Sequence, residues 1–399
     1  ATDSVRIDIP EISAGILWND WLRGQRNLKQ LILRHPQIKL SQLLQKQNSR
    51  DARNFRIDDL LIVQPDINIT LIEEEGQGKF AWKASPDDSI QLQNLIVQTG
   101  EKAKVSVDNI SFRLRGLHHQ NKYGKSLHTG EGVLTGEAQD IRAIKNDLGT
   151  WDWQGMINRV KANQFKWDNI GKHNGRLELH SANLENLTIN KQQLLALPKL
   201  IANNPQLNVE QVTGYFENDL HKIEWNNIRY NNQNKILKID SSRYTPNESR
   251  EAFYARKLYQ TDYMRASTGA IVIGPMQPEL FANDTILAAA TVHIYDAQLI
   301  DFRDKRLPRQ PGLVRYLPGA LLQKIPFRFA IDSIYLHNTN ISYEEMDEKT
   351  NKSGSIDVNS MNAVITNARN YHMRPGDSLH ISASALLAKE IPTRLSVKE

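Results

Sequence analysis

Four side chains with metal-ligating chemistry lie within one short stretch: His118, His119, His128 and Glu131. Three imidazoles and a carboxylate are a donor set that suits a transition metal. Their spacing matches no defined zinc pattern, and the surrounding Gly116–Gly132 segment is polar and glycine-bearing, so a solvated loop is the preferred reading. Gly124-Lys125-Ser126 has the ending of a phosphate-binding loop, but the position that needs the first glycine is His119. The loop's cradle of backbone N–H groups therefore cannot form in the usual way.

Paired acids occur at Glu73-Glu74-Glu75 and at Glu344-Glu345. Glycoside hydrolysis requires two carboxylates facing each other across a substrate, and nothing in the spacing brings these together. Nucleophile-elbow, zincin and dinucleotide-binding patterns are all missing. The expectation is a protein without an active site and without a cofactor or metal. The densest basic cluster is Phe302-Arg303-Asp304-Lys305-Arg306, with Arg309 beyond it. Arg303, Lys305 and Arg306 are candidate contacts for an anionic lipid headgroup. The competing reading is a solvated turn with local Asp–Arg pairing.

The elements that would carry these residues are strands. An eight-residue pattern recurs: apolar, any, apolar, polar, polar, apolar, any, apolar. Copies start at Phe55, Ile90, Val105, Phe165, Ile223, Phe329 and Ile356. Alternation places apolar residues on one face of a strand. The central polar pair shifts that alternation by one residue, which in a flat strand would turn half the apolar set outward. A β-bulge absorbs the extra residue, and Asn and Asp tolerate the backbone angles this needs. The spacing of Phe55–Ile69 repeats over Phe329–Tyr343. It repeats again over Leu28–Leu40, with Pro36 standing where Pro65 stands.

The fold expected is mainly β: an extended, twisted and curved antiparallel sheet forming a groove, with a few short helices near 16–25, 191–202, 250–258 and 313–324. The expected organisation is a groove region over 1–245, an irregular connection over 246–284 and a continuing groove region over 285–399. The predicted one-sided set is Ile57, Leu60, Ile62, Ile67 and Ile69, matched by Phe329, Ile331, Ile334, Leu336, Ile341 and Tyr343. Trp18 and Trp21 would sit on the first helix, at a membrane interface or in a core.

Composition narrows the class. The 399 residues are 40% hydrophobic, with 50 basic and 45 acidic side chains and a net charge of +5. Mean hydropathy is −0.53. The charges are interleaved, which argues against nucleic acid as a partner. There is no cysteine, which suits an oxidising compartment without structural disulfides. No run of about 18 apolar residues is present.

Three stretches resemble the AsmA-like proteins, especially the large Bacteroidota forms: Ile7–Leu40, Arg250–Pro275 and Leu299–Glu345 with the following GSIDVNSMNAVITNARN. The resemblance implies a non-enzymatic periplasmic protein, related to bridge-like lipid-transfer proteins. Its apolar β-groove would hold acyl chains of phospholipid or another envelope lipid. It would be anchored to the inner membrane by a helix preceding this sequence and would have envelope protein complexes as possible partners. The alternatives are a structural or assembly partner of envelope or secretion machinery, with a filled core, and a parallel β-helix acting on polysaccharide. The irregular starts of the repeat disfavour the last.

Overall fold

The computed structural model describes residues 5–16, 27–41, 54–73, 76–83, 85–100, 103–120, 126–128, 131–146, 151–168, 174–190, 201, 203–284, 286–312, 328–370, 384–389 and 393–398. The fold is mainly β, with 74% strand, 5% helix and a large mixed sheet. The chain forms two compact units. The first comprises residues 1–168 and 178–208, and the second residues 169–177 and 209–399.

In the first unit, strand Asn27–Arg34 pairs in parallel with Asn54–Val63. Antiparallel neighbours Ser89–Gln98, Lys104–Arg115, Val133–Lys145 and Trp151–Asp168 follow in order. Parallel pairing is a correction to the all-antiparallel expectation. It arises because the repeated segments Leu28–Leu40 and Phe55–Ile69 lie side by side, with Leu31 opposite Leu60 and Leu33 opposite Ile62.

Both segments then turn a corner. His35 and Gln64 adopt left-handed backbone angles (φ 52 and 51), and Pro36 and Pro65 behind them are fully buried. Proline brings no N–H to a ladder, so the chain leaves the first sheet there. It continues as Gln37–Ser41 and Asp66–Glu73 in a second, six-stranded sheet. Ile57, Leu60 and Ile62 belong to the first sheet, and Ile67 and Ile69 to the second.

The second unit repeats the device without proline. Ile286–Tyr295 and Gln298–Asp304 pair in parallel with the two halves of Arg328–Met346. Asp296 and Asn338 are left-handed at the corner (φ 52 and 52). Asp296 N–H donates to the His337 carbonyl, and Asn340 N–H to the Ala297 carbonyl. His35 N–H to Val63 and Asp66 N–H to Pro36 are the same two bonds in the first unit.

The stretch 246–284 is not irregular. It holds α1 (Arg250–Ala255), two strands (Asp262–Thr268 and Ile271–Met276) and α2 (Pro278–Asp284). Both strands pair on two sides. Ser249 caps α1 by accepting the Ala252 N–H, the side-chain capping expected at a helix start. The expected helices over 313–324 and most of 16–25 and 191–202 lie outside the described residues, and Ile16 ends a strand, Glu11–Ile16. The 116–132 loop contains a hairpin, Leu117–Gln120 against Ser126–His128, with His118 opposite His128.

Candidate functional site

The bulge argument can be followed across the first sheet. Ile57 (2% exposed) and Leu60 are both buried, three positions apart, so the apolar face continues through Asp58-Asp59. Arg56 and Asp58 stay on the wet side, paired to each other at 2.8 Å. The left-handed residue falls on the second polar position in three copies: Asn94, Asn227 and Ser360.

The polar pairs are also aligned from strand to strand. Gln30 lies opposite Asp59, Asp59 opposite Gln93, Gln93 opposite Asn109, and Asn109 opposite Gln139. Hydrogen bonds run along this seam, from Gln91 to Asp59 (2.8 Å), Asn94 to Asp108 (2.9 Å), Asn109 to Gln93 (3.3 Å) and Asn158 to Gln139 (3.1 Å). From Asn27–Arg34 to Val133–Lys145 the pairing register is the same on either side of the seam, whereas between Val133–Lys145 and Trp151–Asp168 it slips by one residue at Glu137/Ala138 and returns past Gln139/Arg142. Amides and carboxylates satisfy one another where the backbone ladder is interrupted.

Apolar rows flank the seam on the opposite face. Leu31, Leu60, Leu92, Ile110 and Ala138 form one row, and Leu33, Ile62, Ile90, Phe112 and Gly136 the next. The second unit has equivalents. Leu237, Ile273, Val292, Ile334 and Ile365 form one row, and Ile239, Ile271, Ile294, Leu336 and Ala363 another. Val292, Phe329, Ile331 and Ala368 make a buried cluster against which Ile271, Ile273, Ile294, Ile334 and Ile365 pack while only half-buried. Leu336, Ile341 and Tyr343 are likewise half-buried. Ile67 is buried (6% exposed), and the side chain of Ile69 lies outside the described set.

In the neighbouring strand Gln298–Asp304, Asp301 lies opposite Tyr343. Asp301 carries a buried Oδ1 without a hydrogen-bond partner. Burial, reinforced by the nearby Asp262 charge, pushes its carboxyl up to about 6. Tyr343 is pushed up to about 12, chiefly by burial and then by its hydrogen bond to Glu345.

The proposed headgroup cations all have partners. Arg303 Nε donates to Asp262 at 2.6 Å, Lys305 to Glu345 at 2.6 Å, and Arg306 grips Asp304 with two bonds of 2.9 and 2.7 Å. These hydrogen bonds hold the Asp304 and Glu345 carboxyls below their usual range. Glu344 is 3.7 Å from Arg250, so the acidic pair is also spent on cations rather than facing a second carboxylate. Among the described residues no group of three or more His, Asp and Glu is placed to hold a metal.

Two features had no counterpart in the sequence reading. One is the aligned seam, which depends on long-range register. The other is a ring cluster on the face of the parallel pair opposite Val292 and Ile334. His293 Nδ1 and His337 Nε2 are 3.1 Å apart, with Tyr335 stacked on His293 (4.6 Å) and Tyr295 on His337 (4.5 Å). The only sequence signal for it was the aromatic or imidazole residue at alternate positions of both strands.

No family model, curated protein or solved structure matches the chain.

Proposed function

We propose that this chain is a non-catalytic, AsmA-like periplasmic protein whose apolar sheet faces hold the acyl chains of an envelope lipid. The observation that carries the reading is the set of apolar rows lying five strands abreast. Four inter-strand spacings of about 4.8 Å make each row about 19 Å wide, comparable to an extended acyl chain. Row members such as Ile273, Ile294 and Ile334 remain half-exposed, and a face of this kind gains free energy by covering itself. The paired state of Arg303, Lys305 and Arg306 shifts the expected headgroup contact away from free cations and toward ion-pair exchange.

The test is lipid extraction and native mass spectrometry of purified protein, with Ile334→Asp and Ile341→Asp as variants. Both sites are half-buried and can solvate a carboxylate, whereas an acyl chain cannot cross one cheaply. Co-purifying lipid, lost in either variant while the fold melts cooperatively, is the expected result. Lipid-free protein that either substitution unfolds would favour the scaffold reading instead.

A further inference from the structure

The face opposite the apolar rows in the first unit carries its own ordered set. Ser89 lies opposite Arg113, Arg113 opposite Thr135, and Thr135 opposite Lys161. The adjacent row runs Gln91, Ser111, Glu137 and Arg159. Both rows line one concavity of about 320 Å³. A second concavity, of about 250 Å³, adjoins it and shares Gln91, Ser111 and Glu137 while adding the seam amides Gln93, Asn109 and Asn158.

A wet sheet face has to be polar, so polarity alone decides nothing. What distinguishes this one is the state of its groups. Elsewhere on the same unit the arginines have carboxylate partners: Arg56 with Asp58, Arg115 with Asp87, Arg159 with Glu185. Arg113 and Lys161 make no close ion pair among the described residues, although the Arg113 charge also acts on the buried Asp88 carboxylate, and the two cations flank Thr135 at the level of one row. Two strand spacings, about 10 Å, separate them. Glu137, in the next row, is exposed and offers two acceptor oxygens. Asn158 Oδ1, in the wall of the adjoining concavity, is buried without a partner.

The geometry points to a binding site for an acidic saccharide. The carboxylate of the sugar meets Arg113 and Lys161, where charge-assisted hydrogen bonds are the strongest available. Its hydroxyls meet Gln91, Ser111 and Glu137, a set that both donates and accepts as sugar hydroxyls require. The two rows are two residues apart along the strands, about 7 Å, which one sugar ring and its exocyclic acid can span. A bare anion would use only the cationic row and would be repelled by Glu137. A neutral sugar would leave both cations unused. The site stands on the solvent face and does not depend on what covers the apolar one.

The experiment is calorimetric titration with a galacturonate hexamer, a maltohexaose control and inorganic phosphate, at two salt concentrations. The galacturonate hexamer binds at least tenfold more tightly than either control and weakens as salt is raised. Arg113→Gln with Lys161→Gln loses at least tenfold in affinity. Lys161→Gln alone, at an exposed position, loses part of it with an unchanged melting curve. Lys238→Gln, in the other unit, leaves it unaltered. Equal binding of maltohexaose, phosphate binding as tight as the hexamer's, or full retention by the Lys161→Gln protein would each overturn the assignment.

Discussion

The ring of Phe112 occupies the space a side chain on Gly136 would need. A Cβ built on Gly136 meets Phe112 Cζ at 2.3 Å and Cε1 at 2.5 Å, with the Arg159 carbonyl oxygen at 3.2 Å. The two residues are direct partners on neighbouring strands, and the missing side chain lets the ring lie across the strand and complete the apolar row. Gly214 is held more tightly, because its Cβ would meet the Arg176 carbonyl oxygen at 2.6 Å as well as the Trp225 ring at 2.8 Å.

Gly136→Ala should therefore cost about 1 kcal/mol, since a ring can tilt, and Gly214→Ala about 2–3 kcal/mol, since backbone must move. Urea denaturation of both proteins checks the order. Phe112→Leu should recover most of the first loss and none of the second.

Asp301 predicts a pH dependence. Its folded carboxyl titrates at about 6 against an ordinary value of 3.8, because of burial first and the Asp262 charge second, with Arg303 and the Phe302 N–H opposing. The folded state thus binds the proton more tightly than the unfolded state. The contribution of this group to stability is full below about pH 4 and declines as pH rises through about 6. Asp301 is only partly buried, so solvent screening discounts the effect to on the order of 1 kcal/mol. Asp301→Asn should raise the melting temperature at pH 7.5 and flatten its decline between pH 4 and 6.5.

The left-handed strand positions give a third expectation. Gln164 has φ 54 and is exposed, and a left-handed angle costs a side-chain-bearing residue about 1–2 kcal/mol. Gln164→Gly should stabilise by up to about 1 kcal/mol, net of the extra chain entropy glycine brings. Gln164→Val should destabilise by a similar amount or more. Chemical denaturation of the pair decides this, and equal stabilities would show that the bulge relaxes when its residue changes.

Ile57 sets the scale for the core. At 2% exposure, Ile57→Ala should cost about 2–5 kcal/mol. The same change at half-buried Ile341 should cost markedly less, a contrast read from melting curves measured side by side.

How much of this was legible follows from where each signal is stored. The phase shift at Asp58-Asp59 is local, so the buried pair Ile57 and Leu60 and the left-handed Asn94, Asn227 and Ser360 could be anticipated from one strand at a time. The pairing of Leu31 with Leu60 was present as a repeat, but direction was not. A repeated spacing fits parallel and antiparallel neighbours alike. The strands at 262–276 were hidden by Gly269, Gly274 and Pro275, which read as punctuation although the sheet accommodates them. For the basic cluster, the local pairing of Arg306 with Asp304 was readable, whereas the partners of Arg303 and Lys305 come from strands far away in sequence.

The common level of the polar pairs has a consequence for how such a chain can change over time. A one-residue insertion within any of these strands would move its extra residue off the shared crease and put two neighbours out of step at once. A whole strand pair, by contrast, brings its own crease with it and can be gained or lost at an edge without disturbing those already aligned. Length in this architecture should therefore vary in steps of complete strands, while the distance from each crease to the strand ends stays fixed.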